Sequence, residues 1–201
     1  MAVRQYRLGR RHLAAERTRS QILHAARAVF AEQGFHAAGL EEVAARAGIT
    51  RKTVYNQFGS KLGLLEALLS ELEGRANLGS RVQAALDLGQ PERALRAYFR
   101  EACRFWSADQ AVLRNLLGAA ATDVEALHIL ERHDLARKQR LIPYVTRLAA
   151  EGRLRVLPQD ALEVLWFLGS FPAFDHLARR SSLPGSKVAG ILTSFARTLL
   201  R

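Results

Sequence analysis

Residues 34–61 read GFHAAGLEEVAARAGITRKTVYNQFGSK, and the reading of this stretch decides the fold. Leu40, Val43, Ala44 and Ala47 recur at helical spacing and stop at Gly48. Ile49 and Thr50 open a second segment whose apolar positions are Val54 and Phe58, four residues apart and so on one helix face. Gly48 is tolerant of the positive φ that a tight turn requires. Thr50 stands where its side chain can cap the second helix by accepting the Thr53 amide. Two short helices about a tight turn make a helix-turn-helix, the arrangement whose second helix enters a DNA major groove. With Val54 and Phe58 packed inward, Arg51, Lys52, Thr53, Tyr55, Asn56 and Gln57 stay outside the packed face. These side chains suit phosphates and base edges; the plainer alternative is a solvated polar face.

Outward from this stretch the periodicity remains helical. Upstream, Ile22, Ala25, Ala26, Val29 and Phe30 form one apolar face, closed by Gly34. Downstream, Gly59-Ser60 breaks the chain, Ser60 is placed to cap, and Leu64, Leu65, Leu68, Leu69 and Leu72 make a fourth helix. Weaker boundaries at Gly79-Ser80, Gly89-Gln90-Pro91, Gly118, Gly152 and Leu183-Pro184-Gly185 predict about five more helices, over 91–108, 110–121, 124–151, 160–180 and 186–200. Pro143 and Pro172 fall inside two of these, where a missing donor and a steric clash predict kinks or breaks. No segment alternates as a strand does, so the expectation is an all-α fold of about nine helices.

Charge points to the same region. The chain of 201 residues carries 30 Lys+Arg against 19 Asp+Glu, a net +11, with 49% hydrophobic residues. That hydrophobic content excludes wholesale disorder, while the surplus suits a polyanionic partner. Residues 1–61 hold +7 of it, and Arg4, Arg7, Arg10 and Arg11 lie in a basic arm of little apolar content. Such an arm either orders against phosphate or a minor groove or remains a solvated tail. Cys103 is the one cysteine, which excludes an internal disulfide, argues against a cysteine-based zinc site and fits a reducing compartment. The Arg-rich start lacks the apolar core of a secretory signal, and Leu165 to Phe174 is too short and interrupted to span a bilayer. A cytoplasmic protein with no membrane partner is expected.

Gly34-Phe35, Leu40-x-x-Val43-Ala44-x-x-Ala47-Gly48-Ile49, and Thr53-Val54-Tyr55-x-x-Phe58-x-Ser60-Lys61 with Leu64 resemble the DNA-binding domain of the TetR family of bacterial transcriptional regulators. The resemblance covers residues 16–76, with the helix-turn-helix at 39–58, after an arm at 1–15. It implies that Arg51 and Lys52 face base edges and that Thr53, Tyr55 and Lys61 hold phosphates, with Asn56 contacting either. Two positions depart from the pattern. Gly39 stands where the family commonly has a capping Thr, and Gln57 where it has His or Tyr. A hydroxyl contact and a ring are lost, and both departures can shift contacts onto the arm.

The resemblance also implies that residues 77–201 bind a small-molecule effector and form a homodimer, two recognition helices then reading a palindromic operator in double-stranded DNA. For the dimer, Val188, Ile191, Leu192, Phe195 and Leu199 make a long stripe, and Leu162, Leu165 and Gly169 lie on the helix before it; burial in the chain's own core is the alternative. Tyr98, Phe99, Phe105, Trp106, Phe167, Phe171 and Phe174 are the aromatic candidates for an effector pocket, with Cys103 among them as a small buried group. Glu125-x-x-His128 has the spacing of a di-iron helix but lacks the required second copy, and neither it nor His133 predicts a metal site. No cofactor is expected. P-loop, HExxH, GxSxG and paired-cysteine motifs are absent, which disfavours an enzyme with a basic surface. A nucleoid-type binder without an effector does not require the long C-terminal segment. A ligand-released repressor is the reading preferred.

Overall fold

The computed structural model describes residues 2–201, with side chains from Leu13 onward. Among the described residues eleven helices follow one another: α1 Ala2–Ala37, α2 Leu40–Arg46, α3 Arg51–Phe58, α4 Lys61–Arg75, α5 Leu78–Leu86, α6 Pro91–Ala108, α7 Gln110–Ala120, α8 Val124–Ala150, α9 Pro158–Leu168, α10 Phe171–Arg180 and α11 Gly185–Arg197. Among the described residues no strand is present, only a single antiparallel bridge between Leu154 and Leu200. Two compact units result. Met1–Glu71 and Arg114–Leu127 form one, and Leu72–Leu113 and His128–Arg201 the other.

In the first unit Ile22, Ala26, Val29, Phe30, Val43, Val54, Leu64, Leu65 and Leu68 are fully buried. Each fully buried large aliphatic or aromatic side chain contributes about 1.5–3 kcal/mol. Phe30 meets the edge of Phe35 at 5.5 Å between ring centres. Gly34 between them takes φ 78°, ψ 163°, and breaks the helical path inside α1. The carbonyls ahead of that break are met by one side chain: Asn115 Nδ2 donates to Phe30 O at 2.9 Å and Ala31 O at 3.0 Å. This explains why residues 114–127 belong to this unit although they lie far along the chain.

In the second unit α6 packs against α5 and α11. Its apolar side supplies Ala94, Leu95, Tyr98, Phe99, Ala102 and Cys103, all buried. Glu101 is buried too, and is ringed by Arg81, Arg100 and Arg104 at 2.7, 3.5 and 3.2 Å. The Arg81 hydrogen bond chiefly, opposed by burial and aided by Arg104, holds the Glu101 carboxyl below its ordinary range.

Four details differ from the sequence expectation. α5 adds a helix: Gly79 and Ser80 lie in its first turn, and the Arg140 guanidinium rests 3.7 Å from where a Gly79 Cβ would stand. Gly118 lies within α7 without ending it. The span 160–180 breaks near Pro172 as expected, but the break falls at Gly169: Ser170 caps a new helix, accepting the Ala173 amide, and Pro172 lies in its first turn, where no donor is needed. α8 instead runs unbroken through Pro143. Pro143 and Gln139 are both exposed, so the carbonyl that loses its partner faces water.

Candidate nucleic-acid interface

α2 starts at Gly39, whose backbone is extended and which supplies no capping side chain. Glu41 and Glu42 in the first turn place negative charge at the helix's positive end instead. The turn closes with Gly48 at φ 68° and the Ile49 amide donating to Ala44 O at 3.0 Å. Thr50 then caps α3, its Oγ1 accepting the Thr53 amide at 3.2 Å. The glycine and threonine thus play the parts expected of them.

On α3, Val54 is fully buried, and Phe58 is half-buried beneath the Arg19 guanidinium, 4.8 Å from its ring centre. Arg51, Lys52, Tyr55 and Asn56 are exposed, while Thr53 and Gln57 are half-buried. The four exposed side chains fall within an arc of roughly 140° at 100° per residue, away from Val54. Tyr55 keeps 59% of its surface open. An aromatic hydroxyl, a guanidinium, an ammonium and an amide on one short helix form a donor-rich surface at the scale of a groove.

Two arginines are already paired. Arg46 grips Glu32 through both terminal nitrogens, at 2.5 and 2.7 Å, which fastens α2 to α1. Arg51 Nε stands 2.9 Å from Glu41 Oε1, with both side chains about two-thirds exposed. Lys61 differs from a free phosphate contact. Its ammonium donates to His36 O at 3.0 Å and lies 4.6 Å over the Phe35 ring. Burial lowers its pKa, with the Asp123 charge opposing. Next to it, Ser60 Oγ accepts the Gly63 amide at 2.9 Å and so caps α4. The side chains of Arg4, Arg7, Arg10 and Arg11 lie outside the described residues.

The second unit holds a separate cluster. Tyr98, Phe99, Cys103 and Phe171 are buried and Trp106 is half-buried. Trp106 stacks edgewise on Phe105 and Phe171, with ring centres 4.7 and 5.7 Å apart, and its Nε1 donates to Gly169 O at 3.1 Å. Tyr98 Oη is buried without a hydrogen-bond partner among the described residues. Burial pushes its phenol upward, and the nearby Arg137 charge opposes this. Arg137 is itself buried, donating to Trp166 O at 2.7 Å and to Asp134 Oδ1. Sequence reading missed Arg137, because an Asp–Arg pair three residues apart on a helix looks like ordinary surface charge. Burial pushes the Cys103 thiol up to about 12.

Phe167 departs from the pocket expectation: 62% exposed, it lies outside this cluster because its helix turns it to solvent while Leu165 turns inward. The dimer stripe divides in the same way. Leu165, Gly169, Val188, Leu192 and Leu199 are buried within the chain itself, so their surface is unavailable to a partner. Leu162 and Ile191 are half-buried, and Phe195 is 59% exposed. Beside Phe195 runs an open groove of about 600 Å³ along α11, lined by Ser186, Lys187, Gly190, Ile191 and Ser194. Among the described residues no group of His, Cys, Asp and Glu stands ready to hold a metal, and no helix is long and apolar enough to cross a membrane.

Residues 22–68 match the family described as bacterial regulatory proteins, tetR family. The HTH-type transcriptional regulator SrpR of Pseudomonas putida is 31% identical over 183 residues, covering 78% of this chain and 84% of SrpR. The HTH-type transcriptional activator FasR of Mycolicibacterium smegmatis is 44% identical over 74 residues, 37% of this chain and 33% of FasR. The chain spans about a third of FasR and half of the regulator AlkX of Mycobacterium tuberculosis. Among solved structures, NalD, the secondary repressor of the MexAB-OprM multidrug efflux pump in Pseudomonas aeruginosa, superposes with TM-score 0.70 at 26% identity, covering 94% of this chain and 98% of NalD.

Proposed function

This chain belongs to the TetR family of bacterial regulatory proteins, and we propose that it is a sequence-specific transcriptional regulator, a repressor that a small molecule releases from a palindromic operator. The observation that carries this reading is α3: a capped helix held by buried Val54, with Arg51, Lys52, Tyr55 and Asn56 exposed on one side. Arg51 and Lys52 address base edges. Thr53, Tyr55, Asn56 and Gln57 address phosphates and neighbouring bases. Lys61 adds a phosphate contact that it shares with its bond to His36 O.

A homodimer places two such helices about 34–36 Å apart, one turn of DNA. Phe195, Ile191 and the groove beside them on α11 form the contact surface, where Ser186, Gly190 and Ser194 recur every fourth residue and let another helix approach closely. Exposed Phe167 and Val164 extend it. The effector enters the cluster of Tyr98, Cys103, Trp106 and Phe171 with Phe99 behind them, and the unpartnered Tyr98 hydroxyl donates to an acceptor on it.

The test is selection from randomised duplexes with the full chain, followed by titration of the selected site. A two-fold symmetric site bound by two chains is the expected result. Equal enrichment of all sequences overturns the specific-regulator reading.

A further inference from the structure

We propose that Glu41 is the positioning residue that sets the base preference of Arg51, a refinement resting on the reading of α3 as the groove-entering helix. Glu41 is the second residue of α2 and Arg51 the first of α3, so the turn brings a carboxylate and a guanidinium together. The contact is made through one edge of the guanidinium, with Arg51 Nε 2.9 Å from Glu41 Oε1.

Which edge is held decides what remains. A guanidinium is a planar fork of five N–H donors, and the end-on pair of terminal amines matches guanine O6 and N7. A carboxylate on the Nε edge leaves that end-on pair free and removes rotations that would point it elsewhere. The Glu41 carboxylate is itself located by its surroundings. Its Oε2 lies 3.4 Å from where a Cβ on Gly39 would stand, folded back over the start of α2, where no side chain caps the helix. The helix's positive end favours the charge there. Glu41 and Arg51 then act as one device, grip and reader.

This role has a signature that simple charge or simple folding lacks. A carboxylate near the DNA backbone weakens binding to every duplex, so removing it raises affinity for any sequence. Removing the grip frees Arg51 to sample other rotamers and lowers its preference for one base pair. Affinity and discrimination therefore move in opposite directions.

The experiment uses the full chain and its four forms: unchanged, Glu41→Ala, Glu41→Gln and Arg51→Ala. Each is checked by thermal melting, then titrated against the selected duplex, the same duplex with one G·C pair inverted in each half-site, and an unrelated duplex. Arg51→Ala identifies the position read, with discrimination there falling by on the order of tenfold. Glu41→Ala loses several-fold discrimination at that same position while binding the unrelated duplex more tightly. Glu41→Gln shows the same rise but keeps part of the discrimination, since its amide oxygen still accepts from Nε. Tighter binding with unchanged discrimination in Glu41→Ala overturns the positioning role and leaves Glu41 a bare charge. Unchanged preference at every position in Arg51→Ala overturns instead the base contact of α3 on which the inference rests.

Discussion

Gly63→Ala and Gly74→Ala make the same change on the same helix, and the structure predicts opposite signs. Replacing a helical glycine with alanine restricts the unfolded chain and favours the helix by about 0.5–1 kcal/mol. At Gly74 a Cβ meets nothing within 4 Å, so that gain stands alone. At Gly63 the Cβ would lie 2.1 Å from Phe58 O and 3.3 Å from Phe58 C. Ordinary carbon contacts fall at about 3.5–4.0 Å, so α4 or the end of α3 has to move by roughly 1 Å or more. The carbonyl is not free to yield, because the Ser60 amide already donates to it at 2.8 Å. Overpacking typically costs about 1–3 kcal/mol, and a backbone obstacle places Gly63→Ala at the upper end. The net loss is about 2 kcal/mol. For a chain of this size, about 2–4 °C of melting temperature corresponds to each kcal/mol. Gly74→Ala is then expected to melt about 1–4 °C higher than the unchanged chain and Gly63→Ala about 4–8 °C lower, followed by circular dichroism at 222 nm. The Gly63 variant should also bind its selected duplex more weakly, since the displaced backbone ends α3. A Gly63 variant that melts at or above the Gly74 variant refutes the close approach.

Tyr98→Phe removes a buried hydroxyl that makes no well-aligned hydrogen bond and has only the Arg137 guanidinium close by, and should raise resistance to urea by on the order of 1 kcal/mol while weakening release by the effector; a less stable variant shows that the approach of Arg137 is a stabilising bond. Cys103, its thiol pushed up to about 12 by burial, should resist iodoacetamide at pH 8 until the chain is unfolded, as intact-mass measurement will show. The Glu101 carboxyl is held below its unfolded value of 4.5, so its contribution is complete above that pH and disappears as pH falls through the lower folded value. Glu101→Gln should therefore flatten the acid side of a plot of melting temperature against pH below about 4.5, and an unchanged slope there denies the link. Lys61→Ala should lower the melting temperature through its lost bond to His36 O, and also weaken all duplexes alike with about one unit less salt slope. A changed base preference would count against the phosphate role.

The recognition element was legible because its determinants are local. Gly48, the Thr50 cap, Val54 and the exposed side chains of α3 all lie within a few residues of one another, and each behaves as its chemistry requires. Helix boundaries were less legible where a single residue type has two meanings. Gly79 and Gly118 look like breaks but sit inside helices, and Pro143 faces water rather than ending α8.

By itself, the sequence determined an all-α chain with a helix-turn-helix near its start and a concentration of positive charge around it. Only the tertiary structure decided that Asn115 meets the carbonyls ahead of the Gly34 break inside α1 and that Lys61 turns to His36 O. It also decided that Arg137 is buried beside Tyr98, and that Phe167 and Phe195 face outward while Leu165 and Leu192 face inward. The physical reason is range. Helical periodicity, caps and turns act over three or four residues and can be read along the chain. Burial and the partners of a polar atom depend on which distant helix lies against a face, and that is set by the packing of the whole unit.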